Sequence, residues 1–278
     1  MIPSETLLSQ DRLALYGFGL FETLLVTDKG PLFVDLHWQR MKKGADLLGL
    51  KLIDLHDWFK QIQEFIQETP NTYPFALRVT LSGGAPMVHL PSQLLFHKRL
   101  ISYTPAQFSS GIRLHLLPYP RNEQSPLVSI KSTNYLENIL AKEEAIRKDA
   151  EEGLWLNTQG YISEGTMSNL FFVKDGTLFT PSLSSGCLPG TRRQILLDLA
   201  RSLQIPTHQG LYPLSDLLKA KEIFMTNALM GVMPVRQLGD FPFEILPPGS
   251  ESSSMRQLEL AYRNLIMNPS SPFYSLLI

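Results

Sequence analysis

The sequence predicts an α+β protein of two domains: a small N-terminal α/β domain over residues 1–107, and a larger domain over 108–278 with mostly antiparallel sheets and flanking helices. Three observations lead there. Strand-like and helix-like runs alternate up to a turn-rich segment, Thr104 to Gly111. One strongly patterned helix covers Asn134 to Ala150. The stretch after it consists of short apolar runs separated by turns, an antiparallel meander.

The first domain opens with a strand, Leu20 to Thr27, joined through Asp28-Lys29-Gly30 to a second at Pro31 to Val34. Leu36 to Leu48 then turns helical. Trp58, Phe59, Ile62, Phe65 and Ile66 recur at helical spacing, with Asp54 and Asp57 near the start. Phe75 to Leu81 and Arg99 to Tyr103 read as strands, and the segment 104–111 commits to no element. The second domain begins with Ile112 to Leu117 and a proline-bearing loop, Pro118 to Pro126. In the helix at 134–150, Leu136, Ile139, Leu140 and Ile146 form the apolar face. Asn134 and Glu137 have capping-box spacing, and Glu143–Arg147 and Glu144–Lys148 are i,i+4 pairs. Leu154 to Leu156, Tyr161 to Ser163, Leu170 to Val173 and Thr177 to Thr180 are the strands of the meander, with Asp175-Gly176 as a hairpin turn. A helix follows Leu188-Pro189-Gly190, with Ile195, Leu196, Leu199, Ala200 and Leu203 inward. Ile223 to Thr226 and Val232 to Val235 are strands around Asn227-Ala228-Leu229, and the Ser/Pro-rich tail is expected to be weakly structured.

Composition excludes several classes. Of the 278 residues, 44% are hydrophobic and 18% charged, ordinary for a soluble globular chain. A formal net charge of −1 gives no electrostatic reason to expect nucleic acid or an anionic membrane. No apolar run approaches a membrane span, and Met1 to Glu5 lacks the basic start of a secretory signal. One cysteine, Cys187, precludes an internal disulfide and fits a reducing compartment. With no histidine nearby in sequence, it is not a catalytic thiol. Metal-ligand spacings are absent, so a cytoplasmic, metal-free protein is expected.

Two residues invite chemistry. Lys131, in Ile130-Lys131-Ser132-Thr133-Asn134, stands at the mouth of the patterned helix, where the positive end of the dipole favours a neutral, nucleophilic amine. Glu164, flanked by Gly165 at the end of a strand, is placed to approach a protonated ring nitrogen. Leu188-Pro189-Gly190-Thr191-Arg192 opens a helix whose free N–H groups suit a phosphate, and Arg40 offers a further cation. Taken singly, Lys131 and Glu164 read better as solvated surface residues, and the other two as an ordinary helix start and a solvated helix arginine.

Their order changes that. Asp11-Arg12, Tyr16 to Thr23, His37 to Met41, Lys131 to Leu136, Ser163 to Phe171 and Leu188 to Arg193 occur in one sequence. Together they resemble the class IV aminotransferase family, the fold-type IV pyridoxal-phosphate enzymes, over nearly the whole chain. The resemblance implies pyridoxal 5'-phosphate as cofactor and Lys131 as its Schiff-base lysine and proton carrier. Glu164 would sit on the pyridine nitrogen, Tyr135 near the phenolic oxygen, and Arg40, Gly190, Thr191 and Arg192 around the phosphate. It also implies a homodimer with a small-molecule substrate.

Within the family, Asn227-Ala228-Leu229-Met230 before Val232-Met233-Pro234-Val235 is similar to aminodeoxychorismate lyase, whereas transaminases carry Ser/Gly-Thr and Ala-Glu there. The expected activity is therefore elimination of pyruvate from 4-amino-4-deoxychorismate, giving the folate precursor 4-aminobenzoate. Arg121 and Asn227 are the candidate substrate contacts, Asn227 also counting among the cofactor contacts. A D-amino acid or branched-chain aminotransferase, or a non-catalytic cofactor-binding descendant, are the alternatives. The chain departs from the family pattern at three places. It lacks the short first hairpin, it has Ser82-Gly83-Gly84-Ala85 where relatives have an arginine-glycine loop, and Arg192 replaces the threonine after Pro-Gly-Ile.

Overall fold

The computed structural model describes residues 9–70, 72–247, 250 and 252–268. It divides into two compact units, one of the described residues up to Ile101 with Ile130–Tyr135, the other of Ser102–Ser129 and Leu136–Asn268.

The first unit starts with helix α1 (Arg12–Tyr16), capped by the Asp11 side chain accepting from Leu13 N at 2.7 Å and closed by Gly17 in the left-handed region. Strands β1 (Leu20–Thr27) and β2 (Gly30–Pro31), helices α2 (Val34–Leu48) and α3 (Leu55–Glu68), and strands β3 (Phe75–Leu81) and β4 (Leu94–Arg99) follow. The sheet has the order β2-β1-β3-β4. Its core face joins Leu24, Val26, Leu77 and Val79 to Trp58 and Ile62 of α3 and Met41 and Ala45 of α2. Asp54 caps α3 by accepting from Asp57 N at 2.9 Å, as its sequence position suggests.

Two expectations shift here. The strand expected at Pro31 to Val34 stops at Pro31: Phe33 adopts φ 56°, which turns the chain so that α2 begins at Val34. The fourth strand lies at Leu94–Arg99, not Arg99–Tyr103. There it pairs with β3 from Leu81↔Leu94 to Ala76↔Arg99 and alternates Leu94 and Phe96 inward.

The second unit opens with α4 (Pro105–Ser110) where the sequence suggested only turns. Thr104 and Gln107 form a capping box that nucleates it. Then come β5 (Ile112–Leu116), α5 (Leu136–Arg147), β6 (Glu152–Leu156), β7 (Ile162–Gly165), β8 (Asn169–Lys174) and β9 (Thr177–Pro181). They are followed by α6 (Thr191–Ser202), β10 (Thr207–Gly210), α7 (Leu214–Leu217), β11 (Glu222–Thr226), β12 (Met233–Leu238), β13 (Phe241–Pro242) and α8 (Ser254–Met267). The sheet runs β10-β9-β8-β11-β12-β5-β6-β7, with β13 on β12. Antiparallel pairs dominate, but β12·β5, β5·β6 and β9·β10 are parallel.

The meander is interrupted. Strands β6 and β7 form one antiparallel pair and β8 and β9 another, but β7 ends the path while β8 lies beside β11. A turn at Gly165–Ser168 separates them (Gly165 N to Ser168 O 2.7 Å).

Helix α5 also reverses the predicted face. Leu136, Ile139, Leu140 and Ile146 are exposed, whereas Asn138, Ala141 and Ala145 are buried. Small alanines let the helix approach Trp155 and Leu117, and Asn138 Nδ2 donates to Thr166 O at 2.7 Å. Arg147 pairs with Glu144 at i,i+3 (2.8 Å), not with Glu143. In α6, Ile195, Leu196 and Ala200 are buried as predicted, but Leu203 is 40% exposed at the helix end. A helix, α8, stands near the C-terminal end, where no element was expected. Its cap joins it to β11: Glu222 accepts from Ser253 Oγ at 2.7 Å and Met255 N at 3.0 Å. The last part of the tail, 269–278, lies outside the described residues. Among the described residues no helix is long and apolar enough to cross a membrane.

The first unit carries a charge cluster around the fully buried Glu22 and His37. Glu22 of β1 accepts from Arg40 Nε (2.8 Å) and Nη2 (2.6 Å) and meets His37 Nδ1 at 2.5 Å, tying α2 to the sheet. Burial alone would raise this carboxyl, but the charges and hydrogen bonds of Arg40 and His37 outweigh it and bring the pKa to about 2. A folded pKa below the unfolded one means stability that is present above about pH 4.3 and lost as pH falls through the folded value. Glu22→Gln should therefore lower the unfolding free energy at pH 7 by about 3–5 kcal/mol. Urea unfolding at pH 7 and pH 3 should show the parent losing more than the variant on acidification. Equal midpoints at pH 7 would refute it.

Candidate functional site in two parts

In the first unit, the segment Ile130–Tyr135 runs along the start of β1. Phe21 N donates to Lys131 O at 2.9 Å, Thr133 N to Gly19 O at 2.9 Å, and Leu20 bridges Ser132. Gly17 makes room for it: a Cβ there would press on the Asn134 backbone at 3.2 Å. Helix α5 begins only at Leu136, so Lys131 lies outside its first turn and the helix dipole does not act on it as expected. Aromatic rings surround the amine instead. Lys131 Nζ stands 4.5 Å from the Phe21 ring centroid and 5.3 Å from that of Tyr135, and the two rings meet edge to face at 5.1 Å.

Phe21 also receives Arg78 of β3, with Cζ 3.8 Å from the ring centroid. Arg78 Nε donates to Thr80 Oγ1 at 3.2 Å. Burial and the neighbouring Arg99 lower the Arg78 pKa, against the effect of Tyr135. The face of the sheet turned away from α2 and α3 carries Phe21 and Thr23 of β1, Arg78 and Thr80 of β3, and His97 and Arg99 of β4. This cationic cluster was missed at the sequence level. The signal was there: Arg78 interrupts an apolar run at a position whose neighbours alternate inward.

In the second unit, Glu164 of β7 is 5% exposed and heavily engaged. Oε2 accepts from Leu188 N at 2.9 Å and Asn169 Nδ2 at 3.4 Å, and Oε1 meets Arg121 Nη2 at 3.2 Å. Arg121 also reaches Gly186 O (3.3 Å) and Glu137 (3.5 Å), with Cζ 4.8 Å from the Trp155 ring centroid. Two carboxylates thus hold the residue assigned to substrate.

Asn169 Nδ2 donates to Leu188 O at 2.9 Å, so one asparagine ties Glu164 to the loop that enters α6. At Gly190 a Cβ would collide with Asn169 Oδ1, which restricts this helix start to glycine. Gly190 is the N-cap and no side chain caps the helix. Arg192 and Arg193 crowd its first turn, both buried, adding positive charge where the dipole is already positive. Arg192 Nη2 donates to Ala228 O at 3.1 Å, and Arg193 Nη2 to Pro181 O at 2.9 Å and Gln209 Oε1 at 2.8 Å. Thr191 is buried in the same turn, and Thr226 Oγ1, on the strand leading to Asn227, is buried with no partner.

These features fit pyridoxal 5'-phosphate. A carboxylate fixed by a guanidinium and an N–H presents a defined acceptor to a ring nitrogen, while an uncapped helix start with a buried arginine pair and an unsatisfied hydroxyl on the neighbouring strand suits a phosphate.

The turn after Glu164 is fixed by a residue the sequence did not single out. Glu152 of β6, 2% exposed, accepts from Thr166 N (3.0 Å), Thr166 Oγ1 and Ser168 Oγ (3.0 Å). Asn227 Nδ2 donates to Met167 O at 3.2 Å in the same turn. Cys187 is buried; burial first, then the Glu164 charge, push its thiol up to about 11, so it is no nucleophile.

The model of the family Amino-transferase class IV matches residues 19–238. An aminodeoxychorismate lyase of Bacillus subtilis is 27% identical over 264 residues, covering 91% of this chain and 87% of its own. A solved Legionella pneumophila structure, assigned as a 4-amino-4-deoxychorismate lyase, is 31% identical over 92% of this chain and 93% of its own, with TM-score 0.84. A branched-chain amino acid aminotransferase from T.th., solved with pyridoxamine 5'-phosphate, is 25% identical over 99% and 93%, also with TM-score 0.84. This chain belongs to the class IV amino-transferase family, whose members depend on pyridoxal phosphate.

Proposed function

We propose that the chain is a 4-amino-4-deoxychorismate lyase, acting as a cytoplasmic homodimer. The observation that carries this reading is the Asn227-Ala228-Leu229-Met230 turn, present in place of the Ser/Gly-Thr and Ala-Glu of transaminases and held by Tyr103 and Arg192. Lyase relatives that run the length of the chain support it.

Pyridoxal 5'-phosphate, when bound, supplies an electron sink for the carbon that bears the substrate amine. Lys131 Nζ would anchor it, and the same amine would take the C4 proton of the substrate. Glu164, fixed by Arg121 and Leu188 N–H, would accept a hydrogen bond from the protonated ring nitrogen. Tyr135 serves the phenolic oxygen. Gly190, Thr191 and Arg192 would take the phosphate, whereas Arg40 is already engaged by Glu22. The substrate carboxylates require a cationic partner, which we assign to Arg78 because Arg121 serves Glu164. Loss of the C4 proton and of enolpyruvate from C3 leaves an aromatic ring, and 4-aminobenzoate plus pyruvate account for every atom of the substrate. No amino acceptor is consumed.

The homodimer reading rests on α5. Leu136 (66% exposed), Ile139 (40%), Leu140 (50%) and Ile146 (58%) are exposed apolar side chains on one side of the helix, with Glu143 among them, which a subunit interface would cover.

Three outcomes check this reading. Protein loaded with pyridoxal phosphate should release pyruvate from 4-amino-4-deoxychorismate with no keto acid present. If it instead only exchanges amino groups, the aminotransferase reading replaces this one. Lys131→Ala should lose the visible absorption band of the loaded protein and roughly 10³-fold or more in turnover, since anchor and base go together. Near-parental turnover would move the site elsewhere. Leu140→Lys with Ile139→Lys should convert a dimer to a monomer in light scattering after size exclusion. A variant that stays dimeric would exclude α5 from the interface.

A further inference from the structure

Asn227 has no hydrogen-bonding capacity left for a ligand. Its Nδ2 donates to Tyr103 OH at 2.8 Å and Met167 O at 3.2 Å, and its Oδ1 accepts from Leu229 N at 2.9 Å and Met230 N at 3.0 Å. Two donors and two lone pairs are all that a side-chain amide has. The orientation is unambiguous, because Met167 O only accepts and the two backbone N–H groups only donate. The same turn closes through Gly231 N to Asn227 O at 3.3 Å, and Ala228 O is taken by Arg192. Tyr103 remains a neutral phenol: burial first, and the Glu152 charge after it, raise its pKa to about 12 against the Asn227 hydrogen bond.

We infer that Tyr103 and Asn227 are a positioning pair that sets reaction specificity by withdrawing the Leu229 and Met230 amides from the substrate. This inference rests on the lyase reading. Consecutive N–H groups in a tight turn are a ready receptor for a carboxylate. The turn is tied to Met167, three residues after Glu164, and to Arg192 in the first turn of α6, so it belongs to the same frame as the proposed cofactor contacts. An α-amino acid carries a carboxylate on its amine-bearing carbon, and C4 of 4-amino-4-deoxychorismate does not. Consuming the amides internally removes a receptor that only the amino acid needs. Asparagine accepts from both amides while donating to Tyr103 and Met167, and a side chain without an acceptor would release both amides.

The test compares parent, Asn227→Ala and Tyr103→Phe, each loaded with pyridoxal phosphate. Two rates are measured: pyruvate release from 4-amino-4-deoxychorismate, and pyruvate formation from alanine with 2-oxoglutarate as amino acceptor. Inhibition of the first reaction by acetate is measured alongside. Asn227→Ala should shift the ratio of the two rates toward amino transfer by roughly tenfold, the size of one hydrogen bond to a charged group. It should also be inhibited by acetate at lower concentration than the parent. Tyr103→Phe should shift the ratio in the same direction by a smaller factor, and it carries the test if Asn227→Ala does not fold. A ratio and acetate sensitivity unchanged in both variants, with pyruvate release intact in the parent, overturns the inference. A parent that releases no pyruvate overturns the lyase reading itself, and this inference with it.

Discussion

A carboxylate removed from water must be fully paired, and Glu152 shows how much of this structure follows from that. Its two oxygens take the donors of the Gly165–Ser168 turn, Thr166 N, Thr166 Oγ1 and Ser168 Oγ. With the turn held, β7 cannot continue into a hairpin with β8, and the two strands pair with different neighbours. Asn138 takes the Thr166 carbonyl and Asn227 that of Met167, so three separate elements grip the four residues after Glu164. Glu164 therefore stands on a strand whose exit is fixed on every side, which removes conformational freedom from the group that most needs a defined position.

The same device recurs. Glu22 joins β1 to α2, Glu164 joins β7 to the entry of α6, and Glu222 joins β11 to the start of α8. Each is at most 5% exposed, and each spans elements distant in sequence. Buried ion pairs add little net stability over an apolar pair of the same shape, but losing one partner is costly. Their effect is to make alternative arrangements of these elements expensive.

Sequence legibility follows the range of the forces involved. Strand β1, strand β3 and helices α2, α3 and α6 were legible because their apolar periodicity is local. Lys131 and Glu164 could be singled out because their neighbouring blocks occur in family order. The parallel pairing of β5 with β6 and β12 was not legible, because nothing in a strand records its partner. Helix α5 misled for a definite reason: its larger apolar residues face outward, while two alanines and Asn138 satisfy Trp155 and the Thr166 carbonyl. Amphipathicity identified the helix but not which neighbour its apolar face serves. Arg121 was read as a substrate contact because its three partners, Glu164, Glu137 and Gly186, lie 16 to 65 residues away in sequence.

The missing loop arginine has its own physical explanation. In Ser82-Gly83-Gly84, a Cβ at Gly83 would collide with Phe18 O, and Gly84 sits at φ 65° with Leu90 O 2.6 Å from any added Cβ. Arg12 fastens this stretch by donating Nε and Nη2 to Gly83 O, while its own N–H goes to Gly84 O. Positions held this tightly against backbone cannot carry a long side chain. A cation facing the aromatic cluster of Lys131 must therefore come from the sheet itself. Arg78, on the strand that runs into this loop and already stacked on Phe21, meets that requirement.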